Sequence, residues 1–412
     1  MGELRRGLIM RKSLLKSKTI LELENSIRIH GHKAEEQFLS CLEKQGSPII
    51  EFINNENVYN LVTFIYKDDM KCKNVLFAPY IGTDRYKDKY GNFLMERIDN
   101  TDLWYISYEI RNDAKVLYYF SPNDRLDNDW EYRFDSNAIH DKLNRNVFEN
   151  SDDKGSILIM PKSEKNIWSK KVNDVPTGNI EEFSFESENL KDKRKITIYT
   201  PYGYNKDEEP YKFLFLTDGS DYINLLKAID SLNNLIANKK IPPIVAVFID
   251  SIEETREEEF SCNDKFCSVI AEEIVPWVRK KYNISSNASD GIIGGVSLGG
   301  LNASYLALNY SSIFGNVITQ SGSYWYHPDE FIDTHGNCYM SFMYKEMKKL
   351  PIKFYLDIGT YELKKMIHTN LNFKNALKEK GYDVDFHWFN SAHDYLSWGE
   401  SLAHGLISLI GV

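Results

Sequence analysis

Apolar and polar residues alternate along the chain between about residues 51 and 150. Residues 58–66 are mainly β-branched and aromatic, and residues 106–110 switch between apolar and polar at every position. Such a period of two places one face of a strand on a core and the other in water. Short polar segments at 90–92 and 121–124 are typical of turns. The pattern predicts a small all-β domain of the immunoglobulin-like sandwich type.

The pattern changes from about residue 181 onward. β-Branched or apolar runs at 196–200, 213–216 and 244–249 predict strands, and helical periodicity lies between them, as at 262–282. Strands alternating with helices predict an α/β-hydrolase-like, doubly wound parallel sheet. The predicted organisation is a polar helical N-terminal segment at 1–50, the β-sandwich at 51–150, a linker at 151–180 and the α/β domain at 181–412.

Residues 294–300 read Gly-Gly-Val-Ser-Leu-Gly-Gly and contain the motif Gly-x-Ser-x-Gly. A strand-like segment precedes the motif, and a helix-compatible run follows it from Leu301 to Leu308. Strand, tight turn and helix in that order make a nucleophile elbow, in which glycines leave room for a strained turn. Without those flanks the motif is more often an ordinary loop. With them, Ser297 is the candidate nucleophile.

In an α/β-hydrolase the acid and the histidine follow the nucleophile, at the carboxyl ends of later strands. His393 follows the last predicted strand and is the candidate base, while His387 lies within that strand and is a weaker candidate. Two carboxylates compete for the role of the acid. Asp357 ends a predicted strand, whereas Glu362 lies in the loop beyond it and is our first choice. A serine-histidine dyad without an acid is the remaining alternative.

Ester hydrolysis also needs two hydrogen-bond donors for the oxyanion of the tetrahedral intermediate. One is expected to be the backbone N–H of Leu298, directly after the nucleophile. The second is expected from the loop after an earlier strand, where Gly219 and Ser220 follow Thr217 and Asp218. Either Gly219 or Ser220 is therefore the second candidate donor.

Charge and cysteine content narrow the class of protein. The formal net charge of -10 argues against a nucleic-acid partner, since that affinity depends on clustered Lys and Arg. The five cysteines are scattered without the spacing of metal ligands, which favours a reducing compartment and no metal site. No apolar stretch has the length of a signal peptide or a bilayer span. We expect a cytoplasmic protein with no membrane partner.

Several short segments of the sequence resemble those of one family of esterases. In the C-terminal half they lie at 216–219, 255–263, 297–301, 314–315 and 320–325. In the N-terminal half they lie at 62–64, 95–98, 101–105, 118–120 and 122–124. These segments resemble the enterochelin (enterobactin) esterases, in their two-domain cytoplasmic form, which cleave catecholate siderophores. The resemblance covers nearly everything after about residue 50.

The resemblance implies that the substrate is a ferric catecholate siderophore of the enterobactin or bacillibactin type. Its cyclic trilactone backbone would be hydrolysed to release iron, so ferric iron enters with the substrate and no cofactor is implied. Two other functions stay open. One is a carbohydrate esterase, releasing ferulate or acetate, with a glycan-binding β-domain. The other is a ferric-siderophore binder with a vestigial catalytic site.

The resemblance also implies residues for substrate binding. Because the ferric complex is anionic, Arg256, which matches a family arginine, is the main candidate; a structural ion pair with neighbouring glutamates is the alternative. Tyr324, Trp325 and Tyr326 are candidates for stacking on catechol rings, with core packing as the alternative. Asn263 is a candidate for orienting the substrate or, alternatively, for capping the following helix.

Overall fold

The computed structural model describes residues 10–13, 15–53, 58–68, 71–82, 90–149, 154–331 and 338–412. These residues form two compact units. The first contains the described residues up to Glu164 together with Asn390–Ala392, and the second contains Lys165–Phe389 and His393–Val412. The division at residues 164–165 lies inside the segment predicted as a linker.

The first unit is built mainly from β-strands. Its elements are β1 (Met10–Lys12), α1 (Lys18–His30), α2 (His32–Gln45), β2 (Ile49–Phe52), β3 (Tyr59–Lys67), β4 (Val75–Pro79), β5 (Glu96–Arg97), β6 (Leu103–Arg111), β7 (Lys115–Pro122), α3 (Trp130–Tyr132), β8 (Val147–Glu149) and β9 (Lys154–Ile159). One antiparallel sheet has the order β1-β6-β3-β2, with β5 also paired to β6, and the other has the order β4-β7-β9-β8.

Aromatic side chains fill the space between the two sheets of the first unit. Phe64 of β3 and Phe77 of β4, one from each sheet, have ring centroids 4.1 Å apart. Tyr118 of β7 packs edge-on against Phe64 at 4.8 Å. Facing antiparallel sheets with interdigitated aromatic side chains form a β-sandwich. The predicted β-sandwich is confirmed, within a unit that is β-rich and also includes helices.

The described helices of the segment predicted at residues 1–50 lie in this first unit. Helices α1 and α2 lie between β1 and β2 in the chain, and both of those strands join the sheet that contains β3 and β6. Ile20 and Leu23 of α1 pack in one buried cluster with Ile65 and Leu103. Division at residue 50 would cut β2 and expose that cluster.

The second unit alternates strands and helices. Its elements are β10 (Asn179–Glu186), β11 (Lys193–Thr200), β12 (Lys212–Thr217), α4 (Gly219–Asn224), α5 (Ala228–Ala237), β13 (Ile244–Ile249), α6 (Glu253–Phe260), α7 (Asp264–Ser268), α8 (Val275–Lys281), β14 (Gly291–Val296), α9 (Leu298–Asn309), β15 (Asn316–Gln320), α10 (Tyr339–Glu346), β16 (Lys353–Gly359), α11 (Lys364–Glu379), β17 (Asp383–Phe389) and α12 (Tyr395–Ile410).

One sheet of eight strands organises the second unit, in the order β10-β11-β13-β12-β14-β15-β16-β17. The first two strands are antiparallel to their neighbours, and the strands from β13 to β17 are parallel. Alternate residues of β12 face opposite cores: Phe213 and Phe215 pack with α9 and α11, whereas Leu214 and Leu216 pack with α5 and α12. A largely parallel sheet covered on both faces is the predicted doubly wound, α/β-hydrolase-like fold.

Candidate active site

Ser297 is the single residue between β14 and α9. Its backbone has φ 55° and ψ -120°, a conformation that non-glycine residues rarely adopt. The neighbouring glycines make this turn possible: a Cβ on Gly295 would overlap the backbone of Gly299, and a Cβ on Gly299 would lie 2.9 Å from Thr217 Oγ1. The strained turn lifts the Ser297 hydroxyl clear of the sheet, as a nucleophile elbow does.

The structure brings Ser297, His393 and Glu362 together. His393 lies in the loop between β17 and α12, and its Nε2 is 2.9 Å from Ser297 Oγ. Its Nδ1 is 2.9 Å from Glu362 Oε2, in the loop after β16. The Glu362 side chain is fully buried, while 33% of the His393 side chain is exposed. The imidazole therefore spans from a buried carboxylate to a hydroxyl at the edge of the solvent.

The second oxygen of Glu362 is held by two further donors. Gly359 N–H and Ser321 Oγ–H donate to Glu362 Oε1 over 2.9 and 2.5 Å. Trp398 Nε1–H donates to Ser321 Oγ over 3.0 Å, and its ring also packs edge-on against the His393 imidazole at 5.0 Å. The orientation of Glu362 is thus fixed by hydrogen bonds at both carboxylate oxygens.

These contacts determine which atoms of Ser321, His393 and Ser297 carry the hydrogen-bonding protons. The indole of Trp398 only donates, so the hydroxyl proton of Ser321 is free to point at Glu362. A carboxylate only accepts, so His393 carries its proton on Nδ1 and has a lone pair on Nε2. Ser297 then donates to Nε2. This tautomer is the one in which the imidazole accepts a proton from the serine.

The carboxylate 2.9 Å from His393 Nδ1 is that of Glu362, our first choice for the acid over Asp357. Asp357 is buried within β16, between Gln320 of β15 and His387 of β17 in the ladder. His387, the weaker candidate for the base, has Nε2 2.9 Å from Asp385 Oδ1 and stacks on Tyr355. Asp357 and His387 lie within strands, where the ladder fixes their positions. His393 and Glu362 lie in loops beyond the strands, and these loops meet at the carboxyl edge of the sheet.

The two loops expected to donate to the oxyanion lie against each other. Leu298 is the first residue of α9, and its N–H precedes the first hydrogen bonds of that helix, which Gly300 N–H and Leu301 N–H donate to Ser297 O. Gly219 is the first residue of α4, and Ser220 follows it, with its hydroxyl turned toward Asp250 Oδ2 at 2.7 Å. N–H groups in the first turn of a helix have no intrahelical acceptor. Those of Leu298, Gly219 and Ser220 are therefore available as donors.

Arg256 of α6 makes a two-pronged ion pair with Asp218, the residue before Gly219. Arg256 Nε lies 2.8 Å from Asp218 Oδ1, and Nη2 lies 2.7 Å from Oδ2. The Asp218 side chain is only 2% exposed. The sequence suggested, as an alternative to substrate binding, that Arg256 forms an ion pair with neighbouring glutamates. The ion pair is present, but the partner is Asp218 of the candidate oxyanion loop. The arginine side chain retains 30% exposure.

Helix α4, which begins directly after Asp218, carries a second carboxylate. Asp221 accepts a hydrogen bond of 2.9 Å from the hydroxyl of Tyr395, the first residue of α12. Burial raises the pKa of Asp221, and the nearby Asp218 raises it further, against the hydrogen bond from Tyr395. The Arg256 guanidinium opposes the shift. Arg256 thus offsets part of the negative charge of Asp218 and Asp221.

The structure separates the four remaining candidates for substrate binding. Tyr324 is fully buried, stacks on Phe373 at 4.2 Å and is held through its hydroxyl, so it belongs to the core and not to a binding surface. Trp325 and Tyr326 are half-buried. Lys365 places its ammonium 5.0 Å from the centre of the Trp325 ring. The Asn263 side chain accepts a hydrogen bond from the N–H of Phe266 and so caps α7. Helix capping was the alternative to a role in orienting the substrate.

Sequence reasoning missed three side chains that contact the Ser297, His393 and Glu362 series: Ser321, Ser323 and Trp398. Ser321 and Ser323 follow β15, and their position at the carboxyl end of a predicted strand was the available signal. Trp398 lies inside α12, where an aromatic residue normally packs on the core. Within the described ranges, no three His, Cys, Asp or Glu side chains are grouped to hold a metal ion. Nor does any described helix have the length and apolar composition needed to cross a bilayer.

Fold and site together define an enzyme of the α/β-hydrolase class. A family model of putative esterases matches residues 187–409, and a model of the enterochelin esterase N-terminal domain matches residues 61–169. The chain belongs to the enterochelin esterase family and is a carboxylic ester hydrolase.

Known relatives match along most of the chain. The iron(III) enterobactin esterase of Escherichia coli (strain K12) is 27% identical over 331 residues, which cover 76% of this chain and 81% of that protein. The iron(III) enterobactin esterase of Dickeya dadantii (strain 3937) is 25% identical over 407 residues, covering 90% and 92%. A crystal structure of the Shigella flexneri enterobactin esterase, in the presence of enterobactin, has a TM-score of 0.75 at 24% identity and covers 90% and 97%. The predicted fold is therefore shared with that enzyme.

Proposed function

We propose that this chain is a serine esterase that hydrolyses the trilactone backbone of a ferric catecholate siderophore and thereby releases iron. The observation that carries the proposal is the hydrogen-bonded series from buried Glu362 through His393 to Ser297, with 2.9 Å at each imidazole nitrogen. A hydroxyl, a neutral imidazole and a carboxylate in that order perform acyl transfer in serine hydrolases.

In the proposed mechanism Ser297 Oγ attacks a lactone carbonyl while His393 Nε2 takes its proton. The imidazolium is stabilised by Glu362 and returns the proton to the leaving alkoxide. The oxyanion accepts hydrogen bonds from Leu298 N–H and from the N–H of Gly219 or Ser220. Loss of one such donor raises the barrier by about 2.7–4 kcal/mol. Water then hydrolyses the acyl-enzyme by the same steps.

The proposed substrate rests on the relatives and on the chemistry around the site. Two relatives are named iron(III) enterobactin esterases, and both match most of their own length. Half-buried Trp325, with the Lys365 ammonium over its ring, supports binding of an anionic aromatic group. Iron enters with the substrate, and we propose no resident cofactor. The free cysteines support a cytoplasmic location, and the net charge of -10 argues against a nucleic-acid partner.

The test is chromatography of products after incubation with ferric enterobactin. We expect linear trimer, dimer and monomer of the dihydroxybenzoyl amino acid. With Ser297→Ala we expect kcat to fall about 10⁶-fold, the order expected for a lost serine nucleophile. Ser231→Ala, the same change at a buried serine of α5, is the matched control and should keep full activity.

Three results would contradict the proposal. Hydrolysis of a feruloyl oligosaccharide, with ferric enterobactin left intact, would make the chain a carbohydrate esterase. Tight binding of the siderophore without turnover would make it a binding protein. Full activity of Ser297→Ala would remove the proposed nucleophile, and labelling with an organophosphate followed by mass spectrometry would identify the residue that reacts.

A further inference from the structure

A second hydroxyl lies beside the candidate nucleophile. Ser323 Oγ is 3.2 Å from Ser297 Oγ, and Ser323 is only 2% exposed. The backbones of the two serines are also joined, because Ser323 N–H donates to the Ser297 carbonyl over 2.9 Å. The separation of the two hydroxyls is therefore set by the main chain as well as by the side chains.

The segment that carries Ser323 is held on both sides. Asn370 of α11 donates to the carbonyl of Gly322 over 2.7 Å. On the other side, the buried hydroxyl of Tyr324 contacts Ser304 and Thr319 at 2.7 and 2.9 Å. With both neighbours fixed, Ser323 stays next to Ser297 during a reaction.

The direction of the hydrogen bond between the two serines follows from the number of protons. Ser297 has one hydroxyl proton, which it donates to His393 Nε2 over 2.9 Å. It has none left for Ser323. The Ser323 hydroxyl must therefore be the donor, and Ser297 Oγ accepts.

We propose that Ser323 is a catalytic residue whose hydroxyl stabilises Ser297 Oγ as it leaves the acyl group in deacylation. This inference rests on the proposed function. In deacylation His393 Nε2 takes a proton from water as the water oxygen bonds to the acyl carbon. The bond from that carbon to Ser297 Oγ then breaks, its electron pair stays on Oγ, and His393 returns the proton there. Ser323 donates throughout and keeps its own proton.

The hydrogen bond from Ser323 affects the two half-reactions unequally. A donor stabilises the negative charge that grows on Ser297 Oγ when this oxygen leaves. The free enzyme already has this hydrogen bond to the hydroxyl oxygen of Ser297. In the acyl-enzyme Oγ is an ester oxygen and a weaker acceptor, so the hydrogen bond strengthens more on the way to the transition state of deacylation than on the way to that of acylation. Removal of the Ser323 hydroxyl should slow deacylation selectively.

The experiment is rapid mixing of Ser323→Ala with p-nitrophenyl acetate. We expect a stoichiometric burst of nitrophenolate, formed at nearly the rate of the wild type, followed by a steady state slower by about two- to tenfold, the range for one neutral hydrogen bond. Ser323→Thr retains a donor and should restore the steady-state rate toward that of the wild type. Ser231→Ala is the matched control, and melting curves verify that each variant is folded.

Three outcomes would overturn the inference. Steady-state and burst rates of Ser323→Ala equal to those of the wild type would mean that the hydroxyl has no catalytic effect. An equal fall in the steady-state rate and in the rate of organophosphate labelling of Ser297 would assign Ser323 a structural role. If the wild type itself neither turns over nor is labelled at Ser297, the proposed function fails, and this inference fails with it.

Discussion

Glu362→Gln is the substitution that most directly tests how the carboxylate acts on the imidazole. Gln has nearly the same shape as Glu but carries one acceptor and two donors at its end. In the wild type Oε1 accepts hydrogen bonds from Gly359 N–H and Ser321 Oγ–H. The amide oxygen of Gln should take that place, which turns its NH₂ group toward His393 Nδ1.

The expected loss of activity follows from that orientation. An NH₂ group facing Nδ1 requires a lone pair on Nδ1, so the neutral His393 must carry its proton on Nε2 instead. It then presents a donor to Ser297 and has no lone pair with which to take the serine proton. A wrong tautomer of this kind lowers kcat by about 10⁴-fold, or about 5 kcal/mol of barrier.

The assay is steady-state hydrolysis of p-nitrophenyl acetate and of ferric enterobactin, with a melting curve for each variant. Asp357→Asn is the matched comparison, because it makes the same acid-to-amide change at the other carboxylate considered as the acid. We expect Glu362→Gln to lose kcat on both substrates and Asp357→Asn, where folded, to retain it. A loss below tenfold for Glu362→Gln would refute the reasoning and favour a serine-histidine dyad.

Three other predictions concern residues that the sequence analysis considered for substrate binding. Arg256→Met leaves the buried Asp218 carboxylate without its partner, so we expect the free energy of unfolding to fall by about 3 kcal/mol. The melting temperature should fall by about 6–12 °C. Hydrolysis of both p-nitrophenyl acetate and ferric enterobactin should be slower. Slower hydrolysis of the siderophore alone, at unchanged stability, would instead assign Arg256 to substrate binding. Tyr324→Phe should lower stability by about 1 kcal/mol through its lost hydroxyl contacts and leave KM unchanged, whereas Trp325→Ala should raise KM for ferric enterobactin. A higher KM for Tyr324→Phe in steady-state assays would contradict its placement in the core.

Local patterns were sufficient to predict the fold and the position of the elbow. Small residues around Ser297 are required by the strained turn, so they appear in the sequence as a motif. His393 was identifiable because it directly follows a strand whose alternation is clear. Glu362 was preferred to Asp357 because a side chain in a loop can approach the imidazole of His393, whereas a side chain within a strand cannot.

The remaining features depend on contacts between segments that are distant in sequence. A tyrosine in a mixed aromatic run has the same pattern whether it lines a site or fills a core, and only the packing of Tyr324 on Phe373 distinguishes the two. The partner of Arg256 is 38 residues away, so its glutamate-rich surroundings were misleading. Strand β1 has only 3 residues, too few for a recognisable period.

Two neighbouring strands end in the same unusual way. Val296 and Gln320 are paired at the ends of β14 and β15, and the next residue on each strand, Ser297 and Ser321, has a positive φ, of 55° and 52°. Such a backbone costs a non-glycine residue about 1–3 kcal/mol, a cost that glycine largely avoids. Glycine at position 321 would relieve the strain and would also remove the hydroxyl that holds Glu362. It would also leave the buried Glu362 and the Trp398 indole without their hydrogen-bond partner, which costs about 1–3 kcal/mol. The strained serine is therefore kept at little net cost to stability, because the side chain that causes the strain also fixes the acid of the site.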